Sequence, residues 1–391
     1  MKFLLPIFAR RQVVARVAPL GLAIAFVTSS SLFGQERTWK IETVDKSGAF
    51  ASIAVDDQLN LHVSYSSTDE GVKYAFRQAN SAKWFTSSIG RGSQAYTNIA
   101  LDHNGNPTIC YTSYESLNVV RFAAGTWKSQ EVGSGFGPIS YTCSLAFAAD
   151  DTLHISWYQY QDREHGLFLH LKHAVLQDGQ WLARTVDFDA ETGKWNSLVV
   201  DPQGHPHISY SAWRSGQMKY AIWNGSRWHI AVVDSRDRAA NVRGEGNPGI
   251  ATSLLLTSDG TARFSYFDGL NLKFAFPVGD SWKVENIDTL ASTLGAGWTT
   301  SRSTLLRDGE GNFHIVYGDY LSLKHAYRQN DRWRIEYIDR GGPGLYQYAS
   351  ATIDKEGTLY VCYEDPSDAS LKVAVGKRTS APTSQAASHQ P

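Results

Sequence analysis

Residues 197–234 read SLVVDPQGHPHISYSAWRSGQMKYAIWNGSRWHIAVVD. Four short segments rich in β-branched and aromatic residues alternate here with turns that contain Gly, Asp or Asn, a pattern that predicts four strands joined by hairpins. Apolar residues three and four positions apart, which a helix would need, do not continue over ten residues. The segments are Ser197-Leu-Val-Val-Asp201, Pro206-His-Ile-Ser-Tyr210, Met218-Lys-Tyr-Ala221 and Trp228-His-Ile-Ala-Val-Val-Asp234.

The same cassette recurs along the chain. Its fourth strand opens on a tryptophan, and seven such tryptophans follow one another at spacings of 45, 43, 54, 47, 54 and 51 residues. Tandem four-stranded units of this length predict an all-β chain folded as a β-propeller. We expect each tryptophan to bury its ring against its own blade. The seven are Trp39, Trp84, Trp127, Trp181, Trp228, Trp282 and Trp333.

The two ends of the repeat region complement each other. Trp39-Lys-Ile-Glu-Thr-Val-Asp45 has the fourth-strand signature, whereas the last strand-like segment, Leu371-Lys-Val-Ala374, has the third-strand signature. Six full units lie between them. We therefore predict seven blades over residues 36–378, with four antiparallel strands each. The N-terminal strand, Trp39 to Asp45, should close the last blade, because closure pairs backbone groups that an open edge would expose.

The two terminal segments differ from the repeats. Residues 1–35 carry four basic side chains and no acidic one, followed by the apolar run Leu20 to Val27, which predicts an export signal peptide. The pair Arg10-Arg11 leaves both the Sec route and the twin-arginine route open. We expect a secreted or periplasmic protein with no membrane span after signal removal, since the apolar run is short. Residues 379–391 are predicted to be a disordered tail.

Charge and cysteine content limit the partners. Subtracting the four positive charges of residues 1–35 from the formal net charge of −1 leaves the mature chain near −5, without a basic patch for a phosphate backbone. Nucleic acid is therefore excluded as a partner, and we expect a monomer without cofactor or metal. Cys110 and Cys143 lie on neighbouring predicted blades, where a disulfide is an open alternative, and with Cys362 at least one thiol stays unpaired.

The segment Pro206-His-Ile-Ser-Tyr210, followed by Met218-Lys-Tyr-Ala221 and a turn that leads into Trp228, resembles the repeats of secreted bacterial propellers of the BNR or sialidase-like type. The resemblance covers residues 39–375 and implies a propeller of six to eight blades, often acting on or binding glycans. The sialidase Asp box is only echoed, in Gln177-Asp-Gly-Gln-Trp181 and Ala124-Gly-Thr-Trp127. Most of its Ser and Asp positions are missing, so no catalytic residue is carried over.

Two recurring sets of polar residues have structural interpretations. Equivalent positions on successive blades point apart around a ring, so their histidines cannot converge on one metal ion. Acidic residues two positions after the second-strand tyrosine are expected to cap the next loop rather than to form a glycosidase pair. The histidines are His62, His154, His207 and His314, and the acidic residues are Asp268, Asp319 and Asp365.

The loops that follow strands two and four of each blade should share one face, called here the upper face. Its connections are the longest, at residues 133–142, 188–195, 235–250, 289–300 and 340–348, and such loops commonly carry binding residues. The start of each innermost strand should ring the mouth of the central channel. These positions, called the rim residues, are Phe50, Tyr96, Thr142, Trp195, Ala251, Arg302 and Tyr348.

Aromatic rings on this face can pack on sugar C–H groups, while Arg and Asp can bind hydroxyls or carboxylates. The predicted function is therefore an exported recognition module that binds a glycan or an extracellular protein. Its predicted ligand-binding residues are Tyr96, Tyr141, Trp195, Trp213, Arg214, Arg236, Asp237, Arg243, Trp298, Arg302, Tyr346 and Tyr348.

Two alternatives remain at this point. One is a glycoside hydrolase or polysaccharide lyase, although no nucleophile–base spacing supports it. The other is a scaffold tethered through the tail from Thr379. For the enzyme, acid or base groups would come from Asp189, Glu191, Asp237 or Glu245, and charge recognition from Arg236, Arg243 or Arg302.

Overall fold

The computed structural model divides the chain into two units, Met1–Gln35 and Glu36–Pro391. All residues that the structure describes belong to the second unit, so the predicted signal peptide and residues 380–391 of the predicted tail lie outside them. No helix among the described residues has the length and hydropathy of a membrane span. The described residues are 37–67, 70–91, 96–113, 116–134, 142–163, 166–189, 191–235, 250–269, 271–290, 302–319, 321–329, 331–340 and 348–379.

The described residues form 28 strands in seven sheets. β1 spans Arg37–Asp45. Blade 1 contains β2 (Ala49–Val55), β3 (Leu61–Ser67), β4 (Gly71–Arg77) and β5 (Phe85–Gly90); blade 2 contains β6 (Thr97–Leu101), β7 (Pro107–Thr112), β8 (Ser116–Ala123) and β9 (Thr126–Ser134); blade 3 contains β10 (Cys143–Phe147), β11 (Leu153–Arg163), β12 (Gly166–Gln177) and β13 (Gln180–Asp187); blade 4 contains β14 (Thr192–Val200), β15 (Pro206–Ala212), β16 (Gln217–Trp223) and β17 (Trp228–Ser235); blade 5 contains β18 (Ile250–Leu256), β19 (Ala262–Phe267), β20 (Asn271–Val278) and β21 (Ser281–Thr289); blade 6 contains β22 (Ser303–Arg307), β23 (Phe313–Gly318), β24 (Leu323–Gln329) and β25 (Arg332–Asp339); blade 7 contains β26 (Ser350–Ile353), β27 (Leu359–Glu364) and β28 (Leu371–Arg378).

The sheets are arranged as the sequence predicts. Each sheet has four antiparallel strands, and blade 7 has the order β1-β28-β27-β26. The innermost strand of each blade contacts that of the next blade, and β2 contacts β26, which closes the ring. The all-β, seven-bladed propeller is therefore confirmed. The hairpin β11–β12 stands out by its length, with strands of 11 and 12 residues, where the sequence pattern predicts short strands.

The N-terminal strand closes the ring through backbone pairing and two specific contacts. Trp39 lies opposite Gly376, where an added Cβ would come within 2.5 Å of the indole ring. Glycine is therefore required at this close approach. The buried Arg37 guanidinium donates hydrogen bonds to the carbonyl oxygens of Gly357, at 2.6 Å, and Gly376, at 3.1 Å. The predicted closure by Trp39 to Asp45 is confirmed.

The hydrophobic core lies in the seams between blades. Seven clusters of buried side chains each join neighbouring blades, and one of the seven repeat tryptophans packs against each cluster. The ring of Trp127, for example, lies 5.2 Å from Phe122 in its own blade and 5.0 Å from Tyr74 in the preceding blade. The tryptophans therefore bridge blades, whereas the sequence prediction assigned each one to its own blade alone.

A charged contact, called here the interblade staple, joins most neighbouring blades. The acidic residue that ends the fourth strand of one blade accepts hydrogen bonds from the second-strand tyrosine and the third-strand lysine of the next blade. In blade 4, Asp187 accepts from the Tyr210 hydroxyl at 2.7 Å and from Lys219 Nζ at 3.0 Å. Asp45, Asp234 and Asp288 do the same for blades 1, 5 and 6, and Asp339 accepts from Tyr363 of blade 7.

Two seams have glycine at the staple position. Gly90 and Gly133 occupy the places where other blades carry the acidic residue. An added Cβ at Gly90 would lie 2.5 Å from the Tyr111 hydroxyl, so the tyrosine fills the space of the missing carboxylate. The seam of blades 2 and 3, which has Gly133 at the staple position, is crossed by a disulfide between Cys110 and Cys143, the alternative left open above. Cys362 is a buried free thiol.

The second-strand histidines are structural, as predicted. His62 bonds the Tyr74 hydroxyl at 2.7 Å and Asp56 at 3.3 Å, within its own blade. Two other histidines form buried pairs with a third-strand histidine, at 3.1 Å and 2.9 Å. These four, called the paired histidines, are His154, His173, His314 and His325. The described residues contain no group of three or more His, Cys, Asp or Glu side chains suited to a metal ion.

Burial in these pairs lowers the pKa of His154 to about 4 and that of His173 to about 3. In the second pair, burial lowers the pKa of His314 to about 3, with the neighbouring His325 acting in the same direction. A buried imidazole loses hydration when charged, so the folded chain keeps the paired histidines neutral at pH 7.

Candidate functional site

The rim residues stand where the innermost strands reach the upper face. Three of them, Phe50, Trp195 and Ala251, have φ angles of 53, 50 and 52°, although none is glycine. Register shifts in β2, β14 and β18 mark a β-bulge at each of these positions. Bulges redirect side chains, and left-handed backbone at residues other than glycine concentrates at functional sites. These three strands are therefore bent where the channel opens.

The rim encloses a cavity of about 180 Å³ on the axis of the ring, called here the axial cavity. Six of the seven rim residues line it, and Phe50 does not. Below the rim, a second ring of side chains two positions further along each innermost strand lines the same space. This polar ring consists of Ser52, Asn98, Ser144, Ser197, Ser253, Thr304 and Ser350.

The polar ring joins neighbouring innermost strands. Leu198 N–H donates to Ser144 Oγ at 3.0 Å, and Leu254 N–H donates to Ser197 Oγ at 3.1 Å. Ser52, Ser253, Ser350 and the Asn98 carbonyl accept from the following blade in the same way. Because each serine oxygen accepts a backbone hydrogen, its own hydroxyl hydrogen is left to donate elsewhere. These hydrogen bonds therefore fix the wall of the cavity, and the serine hydroxyls of that wall remain available as donors.

Aromatic residues form one side of the mouth. The ring centroids of Tyr96 and Tyr348 each lie 4.5 Å from that of Phe50, and the Tyr96 hydroxyl donates to the Tyr348 hydroxyl at 3.3 Å. Phe50 thus supports the two tyrosines from behind instead of facing the channel. Such tilted packing is favourable beyond the area it buries and fixes the ring orientations.

A second aromatic group stands across the axis on blade 4. The Trp195 ring packs at 5.5 Å against Trp213, and the Lys194 ammonium lies 4.8 Å from the Trp213 ring. Burial lowers the pKa of Lys194, an effect that Glu191 partly opposes. Trp213 therefore supports Trp195 from behind and does not line the axial cavity, whereas Trp195 does.

Arg302 is the only arginine or lysine among the described residues that line the axial cavity. Burial lowers the pKa of its guanidinium, while Tyr96, Cys362 and Tyr348 raise it. The Arg302 residue is half-buried, so part of its surface remains accessible to solvent. No Asp or Glu belongs to the described lining. Since arginine stays protonated in proteins, the cavity carries a positive charge at neutral pH.

The remaining sequence candidates fall into three sets. Arg214 is exposed and does not line the cavity. The three capping acids accept loop backbone N–H groups as predicted, for example Asp319 from Ser322 at 2.7 Å, and each also pairs with a third-strand lysine, which the sequence did not predict. Lying outside the described residues are Tyr141, Arg236, Asp237, Arg243, Glu245, Trp298 and Tyr346.

Two notable residues were missed by sequence reasoning. Lys194 is one, because nothing in the repeat pattern marks the position before the rim. Glu364 is the other: it ends β27, where it lies opposite Leu371 of β28. Burial raises the pKa of the Glu364 carboxyl. Only the deviation of this residue from the Ser or Thr found there in blades 1, 2 and 4 could have marked it.

No protein-family model matches the sequence, and no curated protein matches it either. Solved structures do match. A protein of unknown function from Dyadobacter fermentans has a TM-score of 0.52 and 12% identity, over 87% of this chain and 98% of its own. A mutant of AofleA from Arthrobotrys oligospora has a TM-score of 0.52 and 14% identity, over 79% and 92%.

The SapL1 lectin, solved in complex with alpha methyl fucoside, also has a TM-score of 0.52, with 13% identity over 75% of this chain and 97% of its own. At these identities the likeness concerns the fold alone. The resemblance to propeller proteins stated above is confirmed at that level.

Proposed function

We propose that this chain is a recognition module that binds a glycan at the channel mouth of the upper face. One observation carries the proposal: the axial cavity opens between the Tyr96–Tyr348 pair and Trp195, with hydroxyl groups below. Flat rings offer apolar faces to sugar C–H groups, and a few fixed polar groups orient the sugar. The likeness to a fucoside-binding lectin propeller is compatible with this proposal.

The enzyme alternative has less support. Asp189 is paired with Lys219 at 2.6 Å, and no described carboxylate lines the cavity, so the described residues supply no pair of acids to flank a bound sugar. Glu364 is the one observation in its favour, since a raised pKa suits a general acid. A single half-buried acid that does not line the cavity and has no partner base among the described residues does not make a glycosidase site, and binding remains the function we propose.

Export belongs to the same proposal. A signal peptide over residues 1–35 would deliver the protein to the periplasm or the exterior, where polysaccharides and glycoproteins are available. Edman sequencing of the protein from a periplasmic fraction should begin close to residue 36. Recovery of the uncleaved chain from the cytoplasm would contradict this part of the proposal.

The binding proposal is tested with residues 36–391 on a glycan array. Trp195→Ala should abolish the signal, and Tyr348→Phe should weaken it while leaving the aromatic pair in place. Phe85→Ala is the matched control, because Phe85 is an exposed aromatic residue on the outer strand β5. Equal glycan signals for Trp195→Ala and Phe85→Ala would contradict the proposal. Hydrolysis or elimination of any array ligand would instead establish the enzyme.

A further inference from the structure

The described wall of the axial cavity contains more hydrogen-bond donors than acceptors for them. Five serines of the polar ring accept a backbone N–H from the next blade, and none of their hydroxyls has an acceptor among the described residues. Tyr348 likewise accepts from Tyr96, and its own hydrogen remains available. A cavity wall with these unused hydrogens favours a guest that is rich in acceptor oxygens.

The described lining of the cavity also carries a positive charge without a negative one. Arg302 makes no hydrogen bond or ion pair with any described residue, and its five N–H donors face a space without a described carboxylate. The lysines of the interblade staples differ, since Lys219 and Lys324 each contact two carboxylates. Arg302 is partly buried, and its guanidinium gains a partner when a ligand supplies the negative charge that no described residue provides.

We propose that the axial cavity binds an oxyanion group, a carboxylate or a sulfate ester, carried by the glycan that the rim holds. Arg302 would donate to the two oxygens of the group in parallel, and Tyr348 and the nearest serines of the polar ring would donate to the remaining acceptor positions. The inference rests on the proposed function in taking the channel mouth as the entrance for the ligand.

The size of the space agrees with this ligand class. A cavity of about 150 Å³ in another protein takes up benzene. The 180 Å³ of the axial cavity therefore accommodates a six-membered ring or the acidic end of a sugar, with the rest of the glycan at the rim. A glycan with its acidic group on the axis meets charge and aromatic surface together, which distinguishes acidic from neutral sugars.

The experiment compares matched ligands by calorimetry at constant ionic strength. Methyl glucuronide and glucose 6-sulfate are the two anionic probes, and methyl glucoside is the neutral one. We expect one or both anionic sugars to bind at least about tenfold more tightly than the glucoside, since hydrogen bonds to charged groups have that worth. Tighter binding of the glucuronide identifies a carboxylate as the oxyanion, and tighter binding of the 6-sulfate identifies a sulfate ester. Equal affinity for all three sugars, or none for either anionic sugar, would overturn the inference.

Variants then assign the binding to the cavity. Arg302→Met should lose the preference for the anionic sugar and, without ligand, should melt no lower than the wild type, because no hydrogen bond or ion pair with a described residue is removed. Arg302→Lys keeps the charge without the fork and should retain part of the preference. Arg332→Met removes an exposed arginine from the outer strand of the same blade and should change neither. Anionic preference that survives Arg302→Met would refute the assignment.

Failure of this inference is distinguishable from failure of the proposed function. If neutral glycans bind through Trp195 and anionic glycans bind no more tightly, the proposed recognition function stands and the oxyanion site is refuted. If the protein binds acetate or sulfate through Arg302 but gives no signal on the array, the oxyanion site stands and glycan binding is refuted.

Discussion

The interblade staple of blade 4 offers a test of how the seams are held, because two carboxylates contact the same lysine. The side chain of Asp187 is 6% exposed and lies 3.0 Å from Lys219 Nζ, whereas that of Asp189 is 73% exposed and lies 2.6 Å away. Asp187→Asn keeps the shape of the residue but removes the charge and one acceptor, since Asp187 accepts from Tyr210 and Lys219 at one oxygen and from Asp189 N–H at the other. Asp189→Asn is the matched control.

The expected difference follows from burial. Removing one partner of a buried ion pair costs about 3–5 kcal/mol, and an exposed pair contributes about 0–1 kcal/mol. Since Lys219 keeps Asp189 in the variant, we expect Asp187→Asn to lower the free energy of unfolding by about 3 kcal/mol and Asp189→Asn by under about 1 kcal/mol. Urea unfolding at pH 7 measures both with the same m value. Equal losses for the two variants would show that burial does not give the staple its strength.

Three further predictions concern the other seams and pH. Gly90→Ala should lower the free energy of unfolding by about 1–3 kcal/mol because its Cβ would meet the Tyr111 hydroxyl, while Gly309→Ala, with no atom closer than 3.9 Å, should cost little; equal urea midpoints would refute this. Cys110→Ser with Cys143→Ser removes a cross-link over 33 residues and should lower the free energy of unfolding by about 3–4 kcal/mol; a loss under about 1 kcal/mol in urea would contradict this. The paired histidines have folded pKa values below the unfolded value, so their contribution is complete above about pH 6.5 and is lost as the pH falls toward 4; each should lower the free energy of unfolding by about 2 kcal/mol between pH 7 and 5, and stability that is constant over this window would contradict the burial described here.

The fold could be predicted because the pattern of one blade, four apolar segments and a tryptophan, recurs along the chain. A period of tryptophans and four apolar segments fixes the blade, and the incomplete units at Trp39 and Leu371 fix the closure. The rim followed from the same logic, since register alone places Tyr96, Trp195 and Arg302 at the start of the innermost strands. These inferences depend on local pattern, which a sequence displays directly.

The contacts between blades could not be read in the same way. Asp187, Tyr210 and Lys219 are far apart in the sequence, and only the ring brings the end of one blade against the middle of the next. Where Gly90 replaces the aspartate, Asn118 replaces the lysine of the next blade, which was a usable signal, whereas Lys172 is retained in the blade that follows Gly133. The lack of a described counterion for Arg302 depends on what surrounds the side chain in space, which no single sequence shows.

The central claim is that ligand binds on the axis of the ring rather than in the seams between blades. A crystal structure of residues 36–391 with the sugar selected by the array and calorimetry tests it most directly. We predict the sugar between Tyr348 and Trp195, with an oxygen within hydrogen-bond distance of the Arg302 guanidinium. A sugar seated between outer strands at the perimeter, with nothing in the axial cavity, would contradict the account.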